Sequence, residues 1–464
     1  MVHATNLSIL LAACSFQQYA PKAIDTAAIT KKIESKNPAG EPFHQYLLDN
    51  GYPANIFPLQ QWGLDELTYC ALFFHPSLDV ARAQWHAAEL SEVAASKRLT
   101  PSISGHIAHS NQANQDIRPF AFGLSIDIPT DLTNKRDIRI ENAHHLSQAA
   151  KLGIAQIAWD LRNQVAQSLY EYQQNQKMVT LLLNEQEIRH GIVALYQKRV
   201  SLGAASNIEL STAKLQLQTS TTELNTWQRN QLVTLSKLAN NLGLPLSQVK
   251  SLNLIDGTLS QPLQQTLPQP DELQTTALLN RLDIRIALER YAAAEARLKL
   301  EIAKQYPDIV ISPGYAYEFG DKIWSLNLSS LLTLLNKNKV AIDEATQLRE
   351  VEAAQFEALQ TKVISDTNIA DASVLQAKQS LDNQQALLIQ QQQNTQRMER
   401  RFAAGEIDRL ELSYSKLESN VAEKNVVLAT FQYKSAINQL ENTLQQPLFI
   451  SKNSVLIEHI NLKK

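Results

Sequence analysis

The 464 residues are 44% hydrophobic, 19% charged and 6% aromatic, with 13 glycines and a formal net charge of −3. That composition is helical in character rather than that of a multi-domain α/β chain, and its near-neutral balance argues against a nucleic-acid partner, which would favour a basic patch or stripe. No run of 18 or more apolar residues occurs, so no helix is predicted to span a membrane.

Leu7 to Cys14 reads LSILLAAC, and Leu11-Ala12-Ala13-Cys14 matches a lipobox. The match predicts a signal segment over 1–14 and a lipid on Cys14 that fixes the mature N-terminus to a membrane surface. Residues 1 to 6 contain no Lys or Arg, a departure from the positive opening of a secretory signal. Cys70 is the only other cysteine, so a lipidated Cys14 leaves no disulfide. Within LTYCALFF, Cys70 reads as a small buried residue on a helix. Residues 15–64 carry Pro21, Pro38, Pro42, Pro53 and Pro58 and read as an irregular linker.

Asp65 to Arg98 follows as a helix, and then two alternating segments. Ser102 to His109 puts Ile103 and Ile107 on one face, and Phe122, Leu124, Ile126 and Ile128 alternate with Gly123, Ser125 and Asp127. No proline lies between Pro129 and Pro245, so Arg136 to Val200 reads as one helix about 97 Å long at roughly 1.5 Å per residue. Gly203 marks a helical hairpin turn, and Ser206 to Leu242 returns.

The plan then repeats. Pro101 recurs as Pro307, 206 residues on, while Gly203 recurs as Gly405 and Pro245 as Pro447, both 202 residues on. The register of 202 also relates Leu124 to Leu326, Asn134-Lys135 to Asn336-Lys337, Arg199 to Arg401 and Lys214-Leu215 to Lys416-Leu417. The chain therefore divides into a first repeat (65–245), a linker (246–270), a second repeat (271–447) and a tail (448–464). The second repeat supplies a helix over Asp271 to Tyr306 and strands over Ile309 to Phe319 and Trp324 to Ser329. A long helix over Asn338 to Phe402 and a return helix over Asp408 to Leu444 complete it. The Gln-rich stretch Gln384 to Gln393 reads as a solvated helix face. In each half the two shorter helices, laid end to end, match the long one, a geometric hint that they stack beside it.

The strands are near the nine to eleven residues that a tilted strand needs to cross a bilayer. Four strands leave two open edges, and an unpaired edge in hydrocarbon costs several kcal/mol per amide. If the strands are transmembrane the protein must be an oligomer, because small barrels begin at about eight strands. Two copies give eight strands and a filled interior; three give twelve and a pore, which suits the wet helix face better.

These residues resemble the TolC-type outer-membrane efflux channels of Gram-negative bacteria. The likeness is carried by ALFFHPSLDVARAQWHAAE and LLNRLDIRIALERYAAAEARL, each followed by a proline-led strand (RLTPSIS, KQYPDIV). The passages SIDIPTDLTNKRDIRIENA and NLSSLLTLLNKNKVAIDEA and the turns RVSLGAASNIELSTAKLQL and RFAAGEIDRLELSYSKLES carry it as well. It implies a fold that is mainly α with a transmembrane β part, in which three protomers close a twelve-stranded barrel continuous with a tunnel of antiparallel helical hairpins. It implies no catalysis and no cofactor beyond a lipid on Cys14, with a periplasmic adaptor and an inner-membrane pump, resembling the resistance-nodulation-division type, as partners. Val200, Ser201, Leu202, Gly203, Phe402, Ala403, Ala404 and Gly405 then occupy the adaptor-contact tips, and Arg397, Arg400, Arg401, Glu406, Asp408 and Tyr414 are candidates for the tip gate. The second half departs from the pattern at Ser329-Ser330-Leu331, where Ile128-Pro129 predicts a proline, and has no glycine at 334–341. The segment from Lys304 to Lys339 resembles the branch paired with heavy-metal pumps.

Two other classes fit less well. An enzyme finds no GxSxG, HExxH or GxxxxGK[ST] motif; His106 and His109 fall on opposite faces of a strand, and the adjacent His144 and His145 diverge on a helix. A periplasmic coiled-coil adaptor would carry one helical hairpin within β modules, not two hairpins each preceded by a strand pair.

Overall fold

The computed structural model describes residues 17–53, 57–111, 118–255, 269–330 and 337–448. The chain forms two compact units, 1–37 and 38–464. In the first, helix α1 (Thr26–Glu34) starts at Asp25, whose carboxylate accepts from the Ala28 N–H at 3.0 Å. The second holds the remaining described elements: α2 (Glu41–Asp49), α3 (Leu64–Phe74), α4 (Pro76–Ala95), β1 (Ser102–His109), β2 (Phe120–Thr130), α5 (Lys135–Ser201), α6 (Asn207–Leu242) and α7 (Leu246–Lys250). After these come α8 (Pro270–Asn280), α9 (Leu282–Ala303), β3 (Ile309–Glu318), β4 (Asp321–Ser330), α10 (Lys339–Ala403) and α11 (Arg409–Leu444).

The 15–64 linker is not irregular throughout, because it contains α1 and α2. Pro42 sits in the first turn of α2, where a missing N–H removes no helical bond, and the helix buries Phe43, Tyr46 and Leu47. The helix expected over 65–98 is broken at His75 (φ −77°, ψ 127°), since Pro76 pushes the residue before it out of the α region. The helix expected over 271–306 is broken at the equivalent place, Arg281 (φ −61°, ψ 127°), without any proline. There the Arg281 guanidinium donates to the Asp283 carboxylate at 2.9 and 2.7 Å and to the Thr443 carbonyl at 3.2 Å. The freed N–H of Leu282 donates to the side-chain oxygen of Gln445 at 2.5 Å.

Gln445 (φ 49°) and Gly243 (φ 66°) end α11 and α6 in the same left-handed conformation, 202 residues apart. In the first half a Cβ at position 243 would fall 2.7 Å from the His75 Cα, so the close approach of the broken helix requires glycine. In the second half Gln445 uses its side chain to satisfy the break.

The long helices have 67 residues in α5 and 65 in α10. Both start after an asparagine in the left-handed region, Asn134 (φ 54°) and Asn338 (φ 51°), a conformation asparagine tolerates. The sequence register pairs Asn134 with Asn336, so the second long helix starts two residues later than that register predicts. Return helix α6 is capped by Ser206 and Glu209 in a capping box, and α11 by Asp408.

The first-half core gathers Phe43, Trp62, Leu67, Leu78, Trp159 and Leu238 among others; a smaller second-half core holds Leu273, Val363, Val374 and Ile437. Cys70 is fully buried on α3 and forms no disulfide among the described residues. Chiefly, α5 packs against α4, α6, α9 and α11, whereas α10 packs against α8, α9 and α11. In the 246–270 linker, the LNLI run reaches Trp62: Leu254 forms a parallel bridge with it, and the Trp62 N–H donates to the Asn253 carbonyl at 3.0 Å. Residues 256–268, and the SVLIEHI run of the tail, lie outside the described residues.

The four strands form one antiparallel sheet in the order β1-β2-β3-β4. Ser102–His109 matches its sequence expectation at both ends. Both β1 and β4 are edges, so a single chain's sheet is open.

Candidate functional site

Register and the period-two alternation of strands sort the sheet into two faces. Ile103 and Ile107 of β1 share a face with Phe122, Leu124, Ile126 and Ile128 of β2, Ile311 and Tyr315 of β3, and Trp324, Leu326 and Leu328 of β4. The opposite face carries Ser102, Ser104, His106, Ser125, Asp127, Ser312, Ser325 and Asn327. Along the apolar face the aromatics Phe120, Phe122, Tyr315, Tyr317 and Trp324 cluster at the turn end, with isoleucines and leucines toward the helices. Aliphatic band and aromatic girdle are the pattern of a lipid-facing barrel wall. On the polar face Asp127 accepts from the Ser104 hydroxyl at 2.7 Å, and the ring of His106 lies so close over Gly123 that a Cβ there would sit 2.3 Å from it. His109, on the other face, packs against Phe120, 4.9 Å between centroids. Among the described residues no helix is long and apolar enough to cross a membrane.

At the far end of the helices are the two hairpin turns. Val200 and Ser201 end α5, Leu202 is its C-cap, and Gly203 (φ 70°) makes the turn; Phe402 and Ala403 end α10, Ala404 is its C-cap, and Gly405 (φ 77°) turns. Positive φ in both turns is what glycine supplies. Leu202 is 72% and Phe402 39% exposed, leaving apolar side chains at both tips in water.

The expected gate residues separate into three kinds. Arg401 pairs within its own turn, Nε to the Glu406 carboxylate at 3.2 Å. Asp408 and Tyr414 reach the other hairpin: Asp408 pairs with the Arg199 guanidinium at 2.6 Å, and the Tyr414 and Tyr196 hydroxyls stand 3.4 Å apart. Arg397 and Arg400 are exposed, with no ion pair among the described residues. The Asp408 carboxyl is held below the usual carboxylate range, first by the Glu411 N–H at 2.9 Å, then by Arg199, with a second N–H from Leu410 at 2.7 Å. The Tyr414 hydroxyl, with some burial, pushes Tyr196 up to about 12, so this phenol is neutral across the physiological range.

Sequence reasoning missed Arg199 and Tyr196 as partners. The repeat held the signal: Arg199 matches Arg401, but Ala204 stands where the second turn has Glu406, and Ser206 where it has Asp408. An arginine kept while its local carboxylate is lost is available to the opposite hairpin.

Above the tips, α5 and α11 are joined by buried charge. Arg162 and Glu441 pair at 2.7 Å with side chains only 7% and 6% exposed. Glu185 accepts from Lys424 and Arg189, each at 2.6 Å; burial alone would raise its pKa, but the two cations win and lower it. His144 and His145 do diverge, to Glu92 on α4 at 3.1 Å and Glu289 on α9 at 2.7 Å, tying α5 to both neighbours. Among the described residues no three His, Cys, Asp or Glu side chains form a metal-holding group. Cys14 lies outside the described residues.

Comparison with known proteins fits these surfaces. The chain is 25% identical over 257 residues to the cobalt-zinc-cadmium resistance protein CzcC of Cupriavidus metallidurans, a match covering 53% of this chain and 58% of that relative. The chain thus spans less than two thirds of that protein's length. In fold it is similar to the outer-membrane channel OprN (TM-score 0.68, 18% identity, 93% of this chain and 98% of that one). It is also similar to the Campylobacter jejuni CmeC outer membrane channel (TM-score 0.66, 15% identity, 85% and 90%). A family model described as outer membrane efflux protein matches residues 67–244 and 273–445, one segment per repeat. The chain belongs to the outer membrane efflux protein family.

Proposed function

We propose that three copies of this chain form an outer-membrane channel of a tripartite efflux system, conducting cargo from a periplasmic adaptor and an inner-membrane pump to the outside. The observation that carries it is the sheet: one face is lipid-like, the other polar, and both edges are open. Closure with other copies satisfies the edge amides, and three copies of four strands leave a lumen lined by the polar face. The outward faces of the helices support association, because α10 exposes Val340, Val351, Ile364, Leu387 and Ile389, while α4 and α6 expose Leu90, Val93, Leu232 and Val233. A second reading as a periplasmic adaptor leaves the lipid-like strand face without a solvent.

In this reading the tips, Val200 to Gly203 and Phe402 to Gly405, receive the adaptor, and Arg199, Asp408, Tyr196 and Tyr414 hold them shut. Arg397 and Arg400 are free to pair with another copy. A lipid on Cys14 adds an anchor. The likeness to a cobalt-zinc-cadmium resistance protein extends to cargo: divalent metal ions, passed on by the pump and not chosen by the channel. Purified protein added to a planar lipid bilayer should give discrete conductance steps, and a deletion strain should become sensitive to cobalt, zinc or cadmium. Protein that stays in the aqueous phase would refute the channel, and a strain sensitive to dyes and drugs alone would refute the metal cargo.

A further inference from the structure

At the foot of the β1–β2 hairpin, where α4 passes into β1 and β2 into α5, a cavity of about 320 Å³ is lined by Arg98, Arg136 and Arg139 together with Asp131 and Asp137. The two carboxylates do not neutralise the three guanidiniums. Asp131 is committed to the backbone, accepting from the N–H groups of Thr133 (3.3 Å), Lys135 (3.0 Å) and Arg136 (2.6 Å). Asp137 stands 3.8 Å from Arg136, whose Nε donates to the Ser96 carbonyl at 2.7 Å. The neighbouring Lys135 is occupied by Asp308 at 2.9 Å. Arg98 and Arg139 have no ion pair among the described residues, and the Nε of Arg139 is buried without a hydrogen-bond partner.

A buried N–H left unsatisfied is costly, so a donor held this way next to a cavity points to a guest that accepts from it. Guanidinium forks match the planar pair of oxygens on a phosphate group, which several such donors can bind together. The cavity's level decides the source. Leu99 lines it, and immediately beyond it the lipid-like face begins with Ile103, Ile126 and Ile128. A site at that boundary lies at headgroup depth.

We propose that this cavity binds a phosphate group through Arg98 and Arg139, and that a phospholipid headgroup of the adjoining leaflet supplies it; the assignment of source rests on the channel reading above. Native mass spectrometry of the full chain released from detergent micelles tests it, with phosphatidylglycerol added in one arm and inorganic phosphate in the other, for the unchanged protein, Arg98→Gln, Arg139→Gln and Arg139→Lys. The unchanged protein should hold phosphatidylglycerol about tenfold more tightly than either Gln variant, as expected for one lost charge-assisted hydrogen bond, with the Lys variant between. Arg98 is exposed, so its variant keeps the fold and its oligomer mass in the same spectrum. Retention of inorganic phosphate with no difference in lipid would keep the site and reassign it to a soluble anion. Equal retention of both probes by all four proteins would overturn the site, whereas protein that carries no detergent micelle at all would instead overturn the membrane reading.

Discussion

Helices α5 and α10 are the same element in two repeats, yet one is enclosed and the other is not. Along α5 the fourth side is covered by α11, and the seam between them is charged: Arg162 with Glu441, and Glu185 with Lys424. At the matching places on α10, 202 residues on, stand Ile364 and Leu387, 37% and 54% exposed. Polar pairing closes the seam inside the chain, and apolar surface waits at the seam that another copy would close. Ion pairs fix geometry where the partner is always present, while hydrophobic area drives association where a partner must be found.

The strongest way to break this contrast is Glu441→Ala. It leaves Arg162 buried and uncompensated, at a cost of about 3–5 kcal/mol, which should appear as a large drop in the melting temperature. An unchanged melt would mean that the charged seam is not closed. Next, Leu326→Arg on the lipid-like face should cost about 2–4 kcal/mol per copy at mid-bilayer depth and reduce the amount assembled in outer-membrane fractions; normal assembly would show the faces reversed. Leu387→Asp on the open side of α10 should weaken oligomers, removing about 1.5–3 kcal/mol of apolar burial per seam, while leaving the circular dichroism of the chain unchanged. Trimers that persist undiminished in detergent would exclude that face as the contact.

The smallest effect on stability belongs to the tips. Asp408→Asn breaks an exposed link to Arg199, so the melting temperature should hardly move while bilayer conductance rises. The pH dependence has a definite sign. Because the Asp408 carboxyl is depressed in the folded chain, its contribution is full above the ordinary carboxylate value of about 4 and is lost as pH falls through the lowered one. Conductance set by this link should therefore be flat from about pH 7 to pH 5 and rise only in stronger acid. A rise at pH 6 would point to another titrating group.

How far these features are legible in the sequence depends on whether the cause is local. Ser102–His109 is legible to the residue because Pro101 precedes it and Ile103 and Ile107 set its period. The turns at Gly203 and Gly405 are equally plain, since a positive φ selects glycine. By contrast the break at Arg281 has no proline to announce it; it depends on Asp283, Thr443 and Gln445, two of them more than 160 residues away. The Arg199–Asp408 link is hidden for the same reason, with 209 residues between partners. Helix α2 escapes a reading that counts prolines as breakers, because Pro42 opens a helix instead of ending one.

Mass measurement of the purified protein in detergent tests the central claim most directly, namely that an open four-stranded sheet with one lipid-like face must be completed by its own copies. Three chains bound in a single detergent-held particle is the expected result. A stable single chain, soluble without detergent, would contradict it.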